Sequence, residues 1–195
     1  MSAKNYHHGD LKNALINAGV EILVREGVGG LSLRKVAKQA GVSHAAPYAH
    51  FTDKQAFIAA ISTEGFKQLY SQIEIVKQTY RTSPETLLTE VAWAYVQFAL
   101  NEPDRFKLMF SSVLEKEKDY PDFVETSQKN FRQLVEIVEI CQQAAVLKKG
   151  APDLLALSLW GTVHGFVSLL LEGQISHTVL EKASLKDILI FILQR

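Results

Sequence analysis

"LSLRKVAKQAGVSHAAPYAHF", Leu31 to Phe51, decides how this 195-residue chain is to be understood. Ser32 is a residue type that caps helices, and Leu33 to Ala40 follows as a short helix. Gly41 then supplies a left-handed stop. Ser43 caps a second helix, His44 to His50. Ala37 stands where two helices would cross and has to be small; Gly41 comes four residues later. Leu33, Val36, Val42 and Phe51 supply the apolar faces. This is the arithmetic of a helix-turn-helix with limits 32–51.

The second helix of such a pair is exposed, and its first residues meet base edges when it enters a DNA major groove. The residue types agree with that use. Ala45 and Ala46 permit close approach, and their methyls can meet a thymine methyl. Pro47 falls in the first turn, where loss of an N–H is tolerable. Tyr48, His50 and Lys54 offer donors to phosphate oxygens. Arg34 and Lys35 open the preceding helix, where unpaired backbone N–H groups also favour phosphate. His44 and Arg34 are the candidates for reading bases. The expected DNA-binding set is Arg34, Lys35, Ser43, His44, Ala45, Ala46, Tyr48, His50 and Lys54.

The formal net charge is zero, which would argue against a polyanion partner, but the charges are unevenly placed. Up to Ala56 there are seven Lys and Arg against four Asp and Glu, and four of the six histidines lie there too. Such asymmetry suits a polyanion-facing head on a different body. One cysteine, Cys141, excludes an internal disulfide and a cysteine zinc site, and fits a reducing cytoplasm. Met1 to Asp10 is polar and lacks the apolar core of a signal peptide. Ser2 to Asp10 is expected to be a mostly disordered start. The longest uncharged run, Leu154 to Leu171, contains Ser158, Thr162, His164 and Ser168. Its length and flanking charges fit a buried helix of a soluble protein better than a membrane span.

The remaining pattern is helical, and the fold class expected is all-α. Leu11, Leu15, Ala18 and Ile22 form one stripe, broken by Gly27, Gly29 and Gly30. Thr52 to Gln55 has a capping-box pattern that opens a long helix towards Tyr80. Pro84 opens another helix at its first position. A short helix follows over Asp104–Phe110, then a loop from Ser111 to Asp119. Asp122 to Lys149 is expected as one amphipathic helix ending at Gly150. Asp153 to Glu172 and a capped helix from Ser184 to Gln194 complete the chain.

"HGDLKNALINAGVEILVREGVGGLSLRKVAKQAGVSHAAPYAHFTDKQAFIAAI" resembles the DNA-binding head of the TetR family of bacterial transcriptional regulators. The carriers are "LSLRKVAKQAGVS" and "YAHFTDKQAF". The second part is similar to the WHG subgroup, with Trp160, His164 and Gly165 in "LWGTVHGFVSLL" and with "NEPDRFKLMF". The resemblance implies an N-terminal three-helix helix-turn-helix head over 8–68 and a larger helical ligand-binding and dimerisation body over 69–195. It implies an Ω-shaped homodimer whose last two helices, about 153–173 and 184–194, form a four-helix interface. The residues support this on their own. "LKDILIFIL" is apolar on nearly every side and needs a cover, and Gly161 and Gly165 would let helix backbones approach. Burial within one subunit is the alternative.

The function expected is a homodimeric repressor of a palindromic operator in double-stranded DNA, released by an unidentified small molecule and otherwise without cofactor or metal. Its place is the cytoplasm, on the nucleoid when bound to the operator. Trp93, Phe98, Phe106, Met109, Phe110, Phe131, Trp160 and His164 are candidates to line a pocket for an apolar or aromatic ligand, with His164 as polar anchor; each is equally a core residue type. Two other classes compete. An enzyme would need His164 and Cys141 as a nucleophile pair, and no phosphate loop, metal-spaced cluster or nucleophile elbow accompanies them. A helical protein-binding adaptor would expose an apolar face, whereas His44 to His50 is small and polar with basic flanks.

Overall fold

The computed structural model describes residues 8–194, with side chains from Leu11 onward. The expected disordered start falls mainly on residues 2–7, outside the described residues. The described residues contain helices and turns and no strand, so the all-α class holds. The chain forms two compact units. The first comprises the chain up to Phe66 together with Asp104–Thr126; the second comprises Lys67–Pro103 and the chain from Ser127.

In the first unit, α1 (His8–Gly30) kinks at Gly27, where φ is 66°. Its stripe Leu15, Ala18, Ile22 and Leu23 is buried. At Gly19 an added Cβ would lie 2.5 Å from Phe57 Cζ, so a side chain there would push α1 off the next long helix. α2 (Leu33–Gln39) is capped by Ser32, whose hydroxyl accepts the Lys35 N–H. Ala37 is fully buried, as a helix crossing requires. Gly41 ends α2 with φ 68°. Val42 N–H reaches Ala37 O and Gly41 N–H reaches Lys38 O, the pair of bonds that closes a helix through a left-handed residue.

The second helix of the motif differs from expectation. His44 to His50 is not an α-helix; Ala46–Ala49 forms one turn of 3-10 helix. Ala46 N–H bonds Ser43 O, Tyr48 N–H bonds Ala45 O and His50 N–H bonds Pro47 O, each three residues back. Pro47 falls in the first turn and is buried, and Phe51 N–H bonds Pro47 O where the turn ends. No side-chain bond from Ser43 caps this turn. The opening of α3 (Lys54–Thr79) also differs. Asp53, not Thr52, is the cap, its carboxylate accepting the Ala56 N–H at 2.8 Å. Gln55 does not close a capping box; it turns to residues 113 and 115.

α5 (Pro103–Met109) and the segment 110–120, with a short 3-10 turn at Glu117–Asp119, complete this unit. Phe66 meets Phe110 and Phe123 edge-on, at ring centroid distances of 5.3 and 5.8 Å.

In the second unit, α4 (Pro84–Asn101) carries the most buried face, including Leu87, Val91, Tyr95, Val96 and Phe98. α6 (Pro121–Gln143) stops six residues before the expected Lys149. Ala145 takes φ 60°, with Val146 N–H on Cys141 O and Ala145 N–H on Gln142 O. Gln142 then donates to the carbonyls of Lys148 and Gly150, satisfying a turn that a periodicity count alone extends into helix. Against α6, Glu74 of α3 binds Lys77 and Gln133. Burial acts to raise the Glu74 carboxyl, but hydrogen bonds from Lys77, Gln78 and Gln133 outweigh it and hold the group down at about 2.

α7 (Pro152–Leu171), α8 (His177–Leu180) and α9 (Leu185–Leu193) finish the chain. Ser184 and Asp187 form the capping box expected at α9. α7 is long and apolar enough by length and composition to cross a membrane. The expectation that it is buried holds for one face only. Ala156, Val163, Phe166 and Val167 are covered, while Leu154, Leu157 and Leu169 are exposed. On α9, Leu189 is buried and Phe191 is 78% exposed. Lys186 ties α9 to α4 through Glu90 at 2.7 Å and lies over the Trp93 ring.

Candidate nucleic-acid interface

Most of the expected contact residues of the motif lie at its surface. Arg34, Lys35, Ser43, His44, Ala45 and Tyr48 are exposed; Ala46, His50 and Lys54 are half-buried. Tyr48 stands out most, 54% exposed between small residues. Beneath it the turn is pinned: Pro47 is buried, and Phe51 meets Phe57 of α3 edge-on at 4.8 Å. An exposed rim on a rigid apolar base is what lets side chains be held in register against a duplex.

Two of the basic candidates are engaged within the protein. Lys35 pairs with Glu26, which also binds Arg25 at 2.9 Å. Hydrogen bonds from Lys35 and then Arg25 hold the Glu26 carboxyl below its ordinary value. Lys54 Nζ donates to the carbonyl of Val28 at 2.9 Å, so it braces the end of α1 after the Gly27 kink. Glu26 and Val28 were not candidates from sequence. Glu26 lies nine residues from Lys35 and Val28 twenty-six from Lys54, spacings to which helical periodicity is blind.

The pocket candidates fall into two groups. Phe106, Met109 and Phe110 lie in the first unit, with Phe106 and Phe110 at 4.9 Å. Trp93, Phe98, Phe131, Trp160 and His164 lie in the second. There Phe131 and Trp160 are neighbours at 6.2 Å, and Trp160 and His164 at 6.0 Å. The centre of this group is a residue that composition did not single out. Tyr95 Oη accepts from Trp160 Nε1 at 3.2 Å and meets His164 Nδ1 at 2.8 Å. Trp160 and His164 are four apart, on one face of α7, and Tyr95 faces them from α4. Burial pushes the Tyr95 hydroxyl up and the His164 imidazole down, so both stay neutral near pH 7. The nucleophile pair is not assembled. The Cys141 thiol, pushed up to about 11 by burial, points at the carbonyl of Pro84, and His164 Nδ1 is engaged with Tyr95.

Comparison with known proteins gives this arrangement its context. Residues 15–61 match the model described as bacterial regulatory proteins, tetR family, and residues 88–190 match the tetracyclin repressor-like C-terminal domain. A stretch of 108 residues is 27% identical to YobS, an uncharacterized HTH-type transcriptional regulator of Bacillus subtilis. That match covers 55% of this chain and spans little more than half, 56%, of YobS. A structure of a protein with unknown function from Rhodococcus sp. RHA1 is 30% identical, with TM-score 0.79, covering 97% of this chain and 94% of that one. The regulator FadR from Bacillus subtilis, solved with stearoyl-CoA, shares the fold at 18% identity and TM-score 0.72, covering 93% and 97% of the two chains. From the head motif to the body that follows it, the chain belongs to the TetR family of bacterial transcriptional regulators.

Proposed function

We propose that this chain is a homodimeric repressor that binds a palindromic operator and leaves it when a small apolar or aromatic molecule binds. The observation that carries the DNA-binding part is the exposed rim of Arg34, Lys35, His44, Ala45 and Tyr48 on a turn locked by buried Pro47 and Phe51. In this reading residues 8–68 form the DNA-binding domain and 69–195 the ligand-binding and dimerisation domain, of the WHG type. Arg34, Lys35, Tyr48, His50 and Lys54 hold phosphates, and His44 reads a base edge beside the small Ser43, Ala45 and Ala46.

The second copy supports itself on the uncovered apolar residues of α7 and α9, Leu154, Leu157, Leu169 and Phe191. Large apolar side chains left exposed on two helices that pack together favour a protein partner, and a twofold pairing covers both copies at once. Two heads then meet half-sites about 34–36 Å apart. Trp93, Phe98, Phe131 and Trp160 supply apolar lining, and His164, oriented by Tyr95, supplies the polar anchor. The acyl chain of a long-chain acyl-CoA, the ligand with which FadR was solved, is apolar although its CoA part is charged, and such a thioester is a first compound to try. α3, which starts beside the motif and runs on to Thr79, is the lever. A nearly complete release requires the ligand to prefer the non-binding shape by about 5.5 kcal/mol.

The test is selection of bound sequences from a random duplex pool without added ligand, followed by affinity against salt. Recovery of a palindrome whose binding falls steeply with salt supports the reading. No enrichment with or without candidate ligands, or binding indifferent to salt, refutes it and favours the protein-adaptor reading.

A further inference from the structure

The first unit contains a piece of chain from outside the motif region, Asp104–Thr126, and one side chain that follows the motif closely in sequence grips it. Gln55, in the first turn of α3, donates from Nε2 to the Val113 carbonyl at 3.2 Å. Its Oε1 accepts the Glu115 N–H at 3.0 Å. One amide thus satisfies two backbone groups of the strap 110–120, much as a neighbouring strand would. Leu114, between the two bonded residues, is buried, and Ser111 Oγ donates to Leu108 O at the start of the strap. Further along α3, Gly65 lets α5 approach so closely that an added Cβ would lie 2.5 Å from Met109 Sδ and 3.1 Å from Arg105 Cδ. α5 and the strap are therefore held to α3 at Gln55, at Gly65 and at Phe66, whose ring meets Phe110 edge-on.

The turn of α3 that holds the strap also holds the motif. Asp53 caps it, Lys54 reaches back to Val28 in the last turn of α1, and Phe57 packs on Phe51 and beside Gly19. Gln55 stands between Lys54 and Phe57 in this series. Any displacement of the strap pulls on the turn that sets the orientation of Tyr48 and His50.

We propose that Gln55 is a positioning residue of the DNA-binding unit: its two-ended grip on Val113 and Glu115 couples the order of the strap to the DNA-binding geometry of the motif. The inference rests on the DNA-binding reading above. Coupling of this kind is reciprocal, so DNA must tighten the strap by the factor through which the strap tightens DNA binding.

The experiment uses the full chain and the duplex recovered from the random pool. Hydrogen exchange at the Glu115 amide is measured with and without that duplex, in the wild type and in Gln55→Met, which keeps length and removes both bonds. The expected result is slower exchange at Glu115 on adding duplex to the wild type. In Gln55→Met that response disappears, and affinity for the duplex falls about fivefold or more. Gln55→Glu retains the acceptor for Glu115 N–H and recovers part of the exchange response. A residue that only stabilised the fold would lower the melting temperature without abolishing the response to duplex. The proposal is overturned if duplex leaves Glu115 exchange unchanged in the wild type, a measurement independent of whether the variant folds. It is also overturned if folded Gln55→Met binds duplex as the wild type does. Failure to recover any duplex removes the DNA-binding reading itself, and this inference with it.

Discussion

Three helices of this protein end through the same left-handed closure, and that repetition permits a controlled test. α2 closes at Gly41, α7 at Gly173 and α6 at Ala145, with φ of 68°, 64° and 60°. In each, the residue after the left-handed one bonds a carbonyl five residues back, and the left-handed residue bonds one three back. Only the third carries a Cβ. A left-handed L-residue costs roughly 1–2 kcal/mol. Glycine returns about 0.4–1 kcal/mol of that through the greater freedom of its unfolded chain. The difference leaves Ala145→Gly more stable by about 1 kcal/mol, or ~2–4 °C in melting temperature for a chain of this size. Gly173→Ala and Gly41→Ala should each lose about the same amount. An added Cβ at either glycine meets nothing within 4 Å, so the backbone term acts alone. Scanning calorimetry of the three variants against the wild type reads the differences. If Ala145→Gly is neutral or destabilising while the glycine variants lose stability, the closure at α6 is not what limits that helix, and the reasoning fails.

Removing the Glu26 charge by Glu26→Gln releases Lys35 and Arg25, so binding should tighten on the selected operator and on unrelated duplexes alike; tightening confined to one sequence would place Glu26 at a base instead. Lys35→Ala should lower the slope of log affinity against log salt by about 0.9 if Lys35 meets one phosphate, which titration at several salt concentrations measures. Tyr95→Phe takes away the hydroxyl shared by Trp160 and His164 and should cost about 1–3 kcal/mol by denaturant unfolding. Burial lowers the His164 pKa, so the unfolded chain binds that proton more readily. Its stabilising contribution is present above the ordinary value of 6.5 and is lost as pH falls from there towards the folded value, and His164→Asn should flatten that part of the profile. Phe191→Lys puts a charge on the surface assigned to the second copy and should yield monomer in sedimentation, whereas an unchanged mass would move the interface elsewhere.

Much of the local structure is legible in the sequence. Ser32 caps α2, Gly41 is left-handed and the Ser184 capping box is present, because each depends on groups within a few residues of one another, while Ala37 is buried as its place at a helix crossing requires. The capping box expected at Thr52 failed for a tertiary reason: Gln55 had better partners in the distant strap than the N–H of its own helix start. The second motif helix is one 3-10 turn with bonds running three residues back, a choice between two helical forms that caps and apolar spacing do not distinguish. α6 was overextended because apolar spacing continues past Gln143, while its end was set by a backbone closure that spacing does not encode.

The candidate site divides in the same way. Exposure of the motif rim followed from the helix-turn-helix arithmetic, while the family came from the resemblance carried by "LSLRKVAKQAGVS" and "YAHFTDKQAF" and from the matches over 15–61 and 88–190. That Lys35 is held by Glu26, that Lys54 braces Val28 and that Tyr95 joins Trp160 to His164 came only with the tertiary structure. The sequence by itself determined where helices start, which faces are apolar and which residue types face outward, since caps, turns and periodicity are short-range physics. The tertiary structure decided which polar groups spend their hydrogen bonds on one another. A donor takes the nearest well-aligned acceptor in space, and separation along the chain puts no limit on where that acceptor comes from.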